Sequence, residues 1–150
     1  MTHDELVTRA GSWLRNTLRC GVVFEELSSA APEIPDAVGW VSGKCVVVEC
    51  KTSKADFRAD RKKWHRSHGE NSALGVWRFY LAPAGVIPHE EIPSGWGLYE
   101  VHGRRVIHAT GLRYANMKPP PFTSNIRREN TMLLSALRRS QQKETKVAND

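Results

Sequence analysis

Three consecutive valines lie between a Ser-Gly-Lys turn and a Glu-Cys-Lys triplet, and this segment constrains the chain more than any other. From Pro35 to Lys51 it reads Pro-Asp-Ala-Val-Gly-Trp-Val-Ser-Gly-Lys-Cys-Val-Val-Val-Glu-Cys-Lys. Two arms, Asp36 to Val41 and Cys45 to Lys51, flank Ser42-Gly43-Lys44, which predicts a β-hairpin. Side chains alternate faces along a strand, so Glu49 and Lys51 point one way and Cys50 the other. A two-residue loop at Gly43-Lys44 sets Asp36 opposite Lys51 and beside Glu49, whereas a loop at Ser42-Gly43 sets Asp36 opposite Glu49. Either register gathers Asp36, Glu49 and Lys51 on one face, with opposed Cβ atoms about 5 Å apart. An unbulged three-residue loop breaks the arrangement. The reverse face carries Ala37, Gly39, Val41, Val46, Val48 and Cys50, small and apolar residues suited to packing beneath helices.

Two carboxylates side by side on a sheet repel unless a cation or a shared proton lies between them. Asp and Glu oxygens with a few waters form the hard ligand set that Mg²⁺ accepts. A neighbouring lysine can then polarise an attacking water or steady a phosphate.

At 150 residues the chain is long enough for one domain with a substantial core. Its 22 basic and 16 acidic residues leave a charge of +6, which favours a polyanionic partner. The odd count of three cysteines, Cys20, Cys45 and Cys50, without a Cys-x-x-Cys pair, predicts buried thiols in a reducing compartment, hence a cytoplasmic protein. No apolar run suggests a membrane span, and the start of the chain does not read as a signal peptide.

Residues 3 to 20 place Leu6, Val7, Ala10, Trp13, Leu14, Thr17 and Leu18 on one stripe, predicting an amphipathic helix stopped by Gly21. Thr2 and Glu5 form a capping box at its start. Capping is the favoured role for Glu5, with a supporting place at a metal site as the alternative. A short strand follows from Val22 to Leu27, and Glu26 near its end either joins Asp36 or faces solvent. Ser53 caps a second helix carrying Lys54, Arg58, Arg61, Lys62, Lys63 and Arg66, a set of cations suited either to phosphate contact or to solvent.

His65 to Asn71 reads as a loop and Val76 to Ala82 as a strand with Trp77 and Phe79 in the core. Residues 83 to 95 are irregular. A second hairpin turns at His102-Gly103, with arms Trp96 to Val101 and Arg104 to Ala109. A last helix from Ser124 to Ser140 is expected to bury Ile126, Leu133, Leu134 and Leu137. Residues 1–112 thus form the main domain, 113–122 a proline-rich connector, 123–140 a helix packed on the same domain, and 141–150 a disordered tail.

Cys45, Cys50, His65 and His68 loosely imitate a zinc site, but alternation sends the two cysteines to opposite faces of the sheet. Histidines 3, 89, 102 and 108 are scattered and read as surface or core residues. No nucleophile elbow, phosphate-cradling glycine loop or dinucleotide fingerprint is present.

Pro35-Asp36 followed by Glu49-Cys50-Lys51 at the end of a valine-rich strand resembles the PD-(D/E)xK superfamily, the restriction-endonuclease-like fold. The longer run from Val46 to Trp64, the Trp77-Arg-Phe-Tyr-Leu-Ala-Pro strand and the Ile92-Pro-Ser-Gly-Trp-Gly-Leu segment look like the MmcB-like DNA-repair family and related phage and bacterial proteins. The likeness covers roughly residues 4 to 110. It implies an α/β fold with an α-β-β-β-α-β core and a mixed sheet, to which this chain adds a hairpin and a C-terminal helix. It also implies a metal-dependent endonuclease-type hydrolase. Asp36, Glu49 and the Cys50 backbone carbonyl would hold Mg²⁺ or Mn²⁺, and Lys51 would serve the attacking water. The expected partner is DNA, single-stranded, duplex or branched, with a homodimer as an open alternative. A non-cleaving DNA-binding or repair-partner module on the same fold is the runner-up, and an interaction domain with incidental charge is the third reading.

Overall fold

A computed structural model describes residues 1–27, 34–67, 73–116 and 119–150, apart from the side chains of residues 63–67 and 116. The elements follow in order as α1 (His3–Asn16), β1 (Val22–Glu25), β2 (Ala37–Val41), β3 (Lys44–Cys50), α2 (Lys54–Ser67), β4 (Trp77–Pro83), β5 (Gly97–His102), β6 (Arg105–Gly111) and α3 (Ile126–Asn149). Short 3₁₀ turns occupy His89–Glu91 and Tyr114–Asn116. The strands form one mixed sheet in sequence order, antiparallel at β1–β2, β2–β3 and β5–β6 and parallel at β3–β4 and β4–β5. This is the expected α/β architecture, an α-β-β-β-α-β run extended by a hairpin and a C-terminal helix. Among the described residues no helix is long and apolar enough to cross a membrane.

Alternation along the first hairpin divides the core. Ala37, Val46, Val48 and Cys50 pack with Leu6, Val7, Ala10, Trp13 and Leu14 of α1 in one cluster. Val38, Cys45 and Val47 belong to a second, with Leu74 and Met132. The two cysteines therefore face apart, all three cysteines are buried and none is in a disulfide, and His68 lies outside the described residues. Trp77 and Phe79 enter the core as expected, but Arg78 and Tyr80 are equally buried. The reason is the position of β4 inside the sheet, paired on both edges and covered on both faces.

Helix α1 ends at Asn16, before Gly21, because Arg19 itself adopts a positive φ of 62°. Cys20 N then donates to Leu14 O, and Gly21 N donates to Trp40 O to start the β1 edge. Helix α2 continues to Ser67, through the first three residues of the loop expected from His65 to Asn71, and the rest of that stretch lies outside the described residues.

The C-terminal region departs furthest from expectation. Asn125 caps α3, its side chain accepting from Arg128 N at 3.1 Å. The helix runs through the expected tail to Asn149, because residues 141–149 hold neither Gly nor Pro and are rich in helix-forming Gln, Lys, Glu and Ala. Its buried face also differs. Met132 is buried, while Ile126, Leu134 and Leu137 are 66%, 57% and 55% exposed. A polar anchor sets this rotation, since the Glu129 carboxylate, also buried, accepts from Gly75 N at 3.0 Å. The connector is packed as well, with the Phe122 ring against the Trp96 ring and the Arg78 guanidinium.

Candidate metal centre

The hairpin register decides where the acidic residues meet. Val41 pairs with Lys44 and Ala37 with Val48, so the loop is Ser42-Gly43. Both loop residues have positive φ, 52° and 71°, the type I′ form whose twist matches the flanking strands. One step beyond the Ala37–Val48 pair, this register sets Asp36 across from Glu49, the second of the two expected alternatives. Asp36 Oδ2 accepts from Cys50 N at 2.7 Å, which fixes its carboxylate against the end of β3.

Lys51 is buried, and its Nζ lies 3.4 Å from Asp60 Oδ1 on α2. Burial disfavours its charge, but Glu49 foremost, then Asp60, Asp36 and Asp56, outweigh burial and hold its pKa above the usual lysine value. The carboxylates around Lys51 thus favour its charged, hydrogen-bond-donating form. Burial first, then Asp36 and Glu49, pushes the Cys50 thiol far above its ordinary range, so that side chain is inert.

Glu26 stands beside Asp36. Its backbone N–H donates to Asp36 O at 2.9 Å, and its φ of 49° turns the chain at that point. His3, in the first turn of α1, places Nε2 3.3 Å from Glu26 Oε1 and 3.3 Å from Asp36 Oδ1. Ligand atoms of His3, Glu26 and Asp36 all lie within 4.8 Å of one another. Glu5 is engaged in the capping box: its Oε2 accepts from Thr2 N at 2.7 Å, and Glu5 N donates to Thr2 Oγ1 at 3.2 Å. The hydrogen bond from Thr2 N–H holds the Glu5 carboxyl below its usual range.

The basic residues of α2 separate into different roles. Arg58 makes a two-pronged pair with Glu91, tying α2 to the 3₁₀ turn. Lys54 and Lys62 are exposed and Arg61 is half-buried, while the side chains of Lys63 and Arg66 lie outside the described residues. A groove of about 460 Å³ is lined by His89, Ile92, Trp96, Thr110 and Arg113, none of which belongs to the Asp36 cluster.

Sequence reasoning missed His3 and Asp60. Asp60 had a signal: it stands three residues after Phe57, which is fully buried, and so shares the inward side of α2. His3 had none beyond its place in a capped first turn, because its neighbours, Glu26 and Asp36, lie just after β1 and just before β2, far along the chain.

The chain is an α/β protein whose carboxylates gather where a β-hairpin meets the first turn of a helix. A solved structure with the same fold is the SPO1766 protein of unknown function from Silicibacter pomeroyi, with a TM-score of 0.63 and 24% sequence identity. The match covers 94% of this chain and 90% of that one. No family model matches the sequence, and no curated protein matches it.

Proposed function

We propose that the protein is a divalent-metal-dependent nuclease that hydrolyses phosphodiester bonds in DNA, within a cytoplasmic repair or phage-related setting. The observation that supports this most is the Ser42-Gly43 turn together with the bond from Cys50 N to Asp36 Oδ2, which bring Asp36 to the end of β3 that carries Glu49, next to the buried Lys51. Asp36, Glu49 and the Cys50 carbonyl are oxygen donors of the kind Mg²⁺ and Mn²⁺ accept, so the residues fit the ion. A bound ion supplies Lewis-acid stabilisation of phosphate charge and a more acidic water.

The side chains then divide the work. The Cys50 N–H holds Asp36 in orientation. Lys51, kept charged by its acidic surroundings, donates to the water or to a phosphate oxygen as negative charge develops there. Lys54 and Lys62, exposed on α2, contact the phosphate backbone without reading bases.

One observation favours a second reading, a DNA-binding module that does not cut. Asp60 already holds the Lys51 ammonium at 3.4 Å, which competes with its use on a substrate.

Incubation of the chain with single-stranded, duplex and branched DNA in Mg²⁺ or Mn²⁺ separates the two. Cleavage is expected, with Asp36→Ala and Lys51→Ala each slower by at least about 100-fold. Binding without cleavage under every metal condition removes the nuclease reading and leaves the module.

A further inference from the structure

The His3 imidazole has no part in the chemistry above, yet it lies between two carboxylates at equal distances. We propose that His3, Glu26 and Asp36 form a nitrogen-containing cation site that selects a transition-type divalent ion, of the Mn²⁺, Co²⁺ or Zn²⁺ class, over Mg²⁺. The inference rests on the reading above only in placing Asp36 at a cation centre.

The spacing fits a shared ion. Two ligand atoms each about 2.1 Å from one metal lie about 3.0 Å apart at a right angle and about 3.4 Å apart at the tetrahedral angle. His3 Nε2 is 3.3 Å from Glu26 Oε1 and 3.3 Å from Asp36 Oδ1, within that interval on both edges. Among the described residues this is the one group of three or more His, Cys, Asp or Glu side chains that converges so closely.

Each ligand is held by a separate part of the fold. The Thr2–Glu5 capping box fixes the first turn of α1 and with it His3. The bond from Glu26 N to Asp36 O keeps the two carboxylate-bearing residues together. Asp36 divides its oxygens, giving Oδ2 to Cys50 N while Oδ1 faces His3. The side chains of His3 and Glu26 are 40% and 54% exposed, so an ion can enter and exchange.

The donor chemistry sets the preference. Mg²⁺ favours an all-oxygen octahedron with several waters, whereas imidazole nitrogen suits the later first-row ions. The same three residues would otherwise be a hydrogen-bonded trio in which His3 merely separates two carboxylates, and metal titration distinguishes the two.

The test is calorimetric titration of the full chain with Mn²⁺, Co²⁺ and Mg²⁺, alongside His3→Ala, Glu26→Gln and Glu49→Gln, with pulsed electron paramagnetic resonance of the Mn²⁺ complex. His3→Ala and Glu26→Gln are each expected to weaken Mn²⁺ and Co²⁺ binding by at least about tenfold while leaving Mg²⁺ affinity nearly unchanged. Wild type should show coupling of Mn²⁺ to an imidazole nitrogen that His3→Ala lacks. Wild-type Mn²⁺ affinity in His3→Ala, or no nitrogen coupling in wild type, overturns the inference, and DNA cleavage in Mg²⁺ would still leave the nuclease reading standing. Loss of Mn²⁺ binding in His3→Ala, in a protein that cuts no DNA, supports the cation site and removes the nuclease reading.

Discussion

Two histidine–carboxylate clusters stand at different places on this sheet, and they are built in inverse proportion. At the first hairpin one imidazole, His3, lies between the carboxylates of Glu26 and Asp36. At β5 one carboxylate, Glu100, lies between two imidazoles: Oε1 is 3.1 Å from His89 Nε2 and Oε2 is 3.2 Å from His102 Nε2. Gly85 N also donates to Glu100 Oε1 at 3.2 Å. The first cluster has more acceptors than donors and its ligand atoms converge, which leaves a place for a cation. In the second, both oxygens already have partners and the histidines attach on opposite sides. It braces the 85–91 segment against β5. Residue type alone makes both look like metal sites, and convergence separates them.

The sharpest way to break this comparison is to ask which cluster a metal stabilises. An ion that binds only the folded chain, at about 100 times its Kd, adds about 2.7 kcal/mol of stability. For a chain of this size that raises Tm by roughly 5–10 °C. We expect Mn²⁺ to produce this shift in wild type and in a His89→Ala/His102→Ala double variant, but not in Glu26→Ala, as read by thermal unfolding. A full shift in Glu26→Ala removes Glu26 from the cation site, and loss of the shift in the double variant moves the ion to the second cluster.

How far the sequence foretold these two places follows from how local each is. Hairpin parity was legible because it depends only on two short adjacent arms and the turn between them, and the observed Ser42-Gly43 loop is one of the two forms the residues allowed. The capping role of Glu5 was legible for the same reason, resting on Thr2 three positions away. His3 was not, since what gives it meaning is the approach of α1 to Glu26 and Asp36, 23 and 33 residues later in the chain. The α3 helix shows the same limit from the other side. Its existence followed from propensity, but its rotation goes with long-range contacts, the bond from Gly75 N to Glu129, 54 residues apart, and the burial of Met132, against the apolar pattern of Ile126, Leu134 and Leu137.

If Glu100 is a brace, removing it should cost stability and leave the cation site alone. Glu100→Ala removes the shared partner of the Gly85 N–H, His89 and His102; Gly85 itself is exposed, so water takes over part of what is lost, and the expected cost is about 1 kcal/mol. Denaturant unfolding measures the cost, and Mn²⁺ titration of the same variant should match wild type. An unchanged unfolding midpoint would mean that the 85–91 segment is held by other contacts, such as the Arg58–Glu91 pair.

The smallest effect is also the most specific, because it depends on the charge of Glu100 and not on its volume. Burial works to raise the pKa of this carboxyl, but the hydrogen bonds from His89, Gly85 N–H and His102 together outweigh burial and bring it below the ordinary value of 4.5. In the unfolded chain those bonds are gone, so as pH falls through about 4.5 the unfolded state takes up the proton first. The stability contributed by the charged form is thus complete above that value and drains away as pH drops through the folded pKa. Glu100→Gln keeps an oxygen for Gly85 N–H but has no proton to gain, so the difference in unfolding free energy between wild type and this variant should shrink steadily below pH 4.5. A difference that stays constant from pH 6 to pH 3 would show that the charge of Glu100 contributes nothing to the brace.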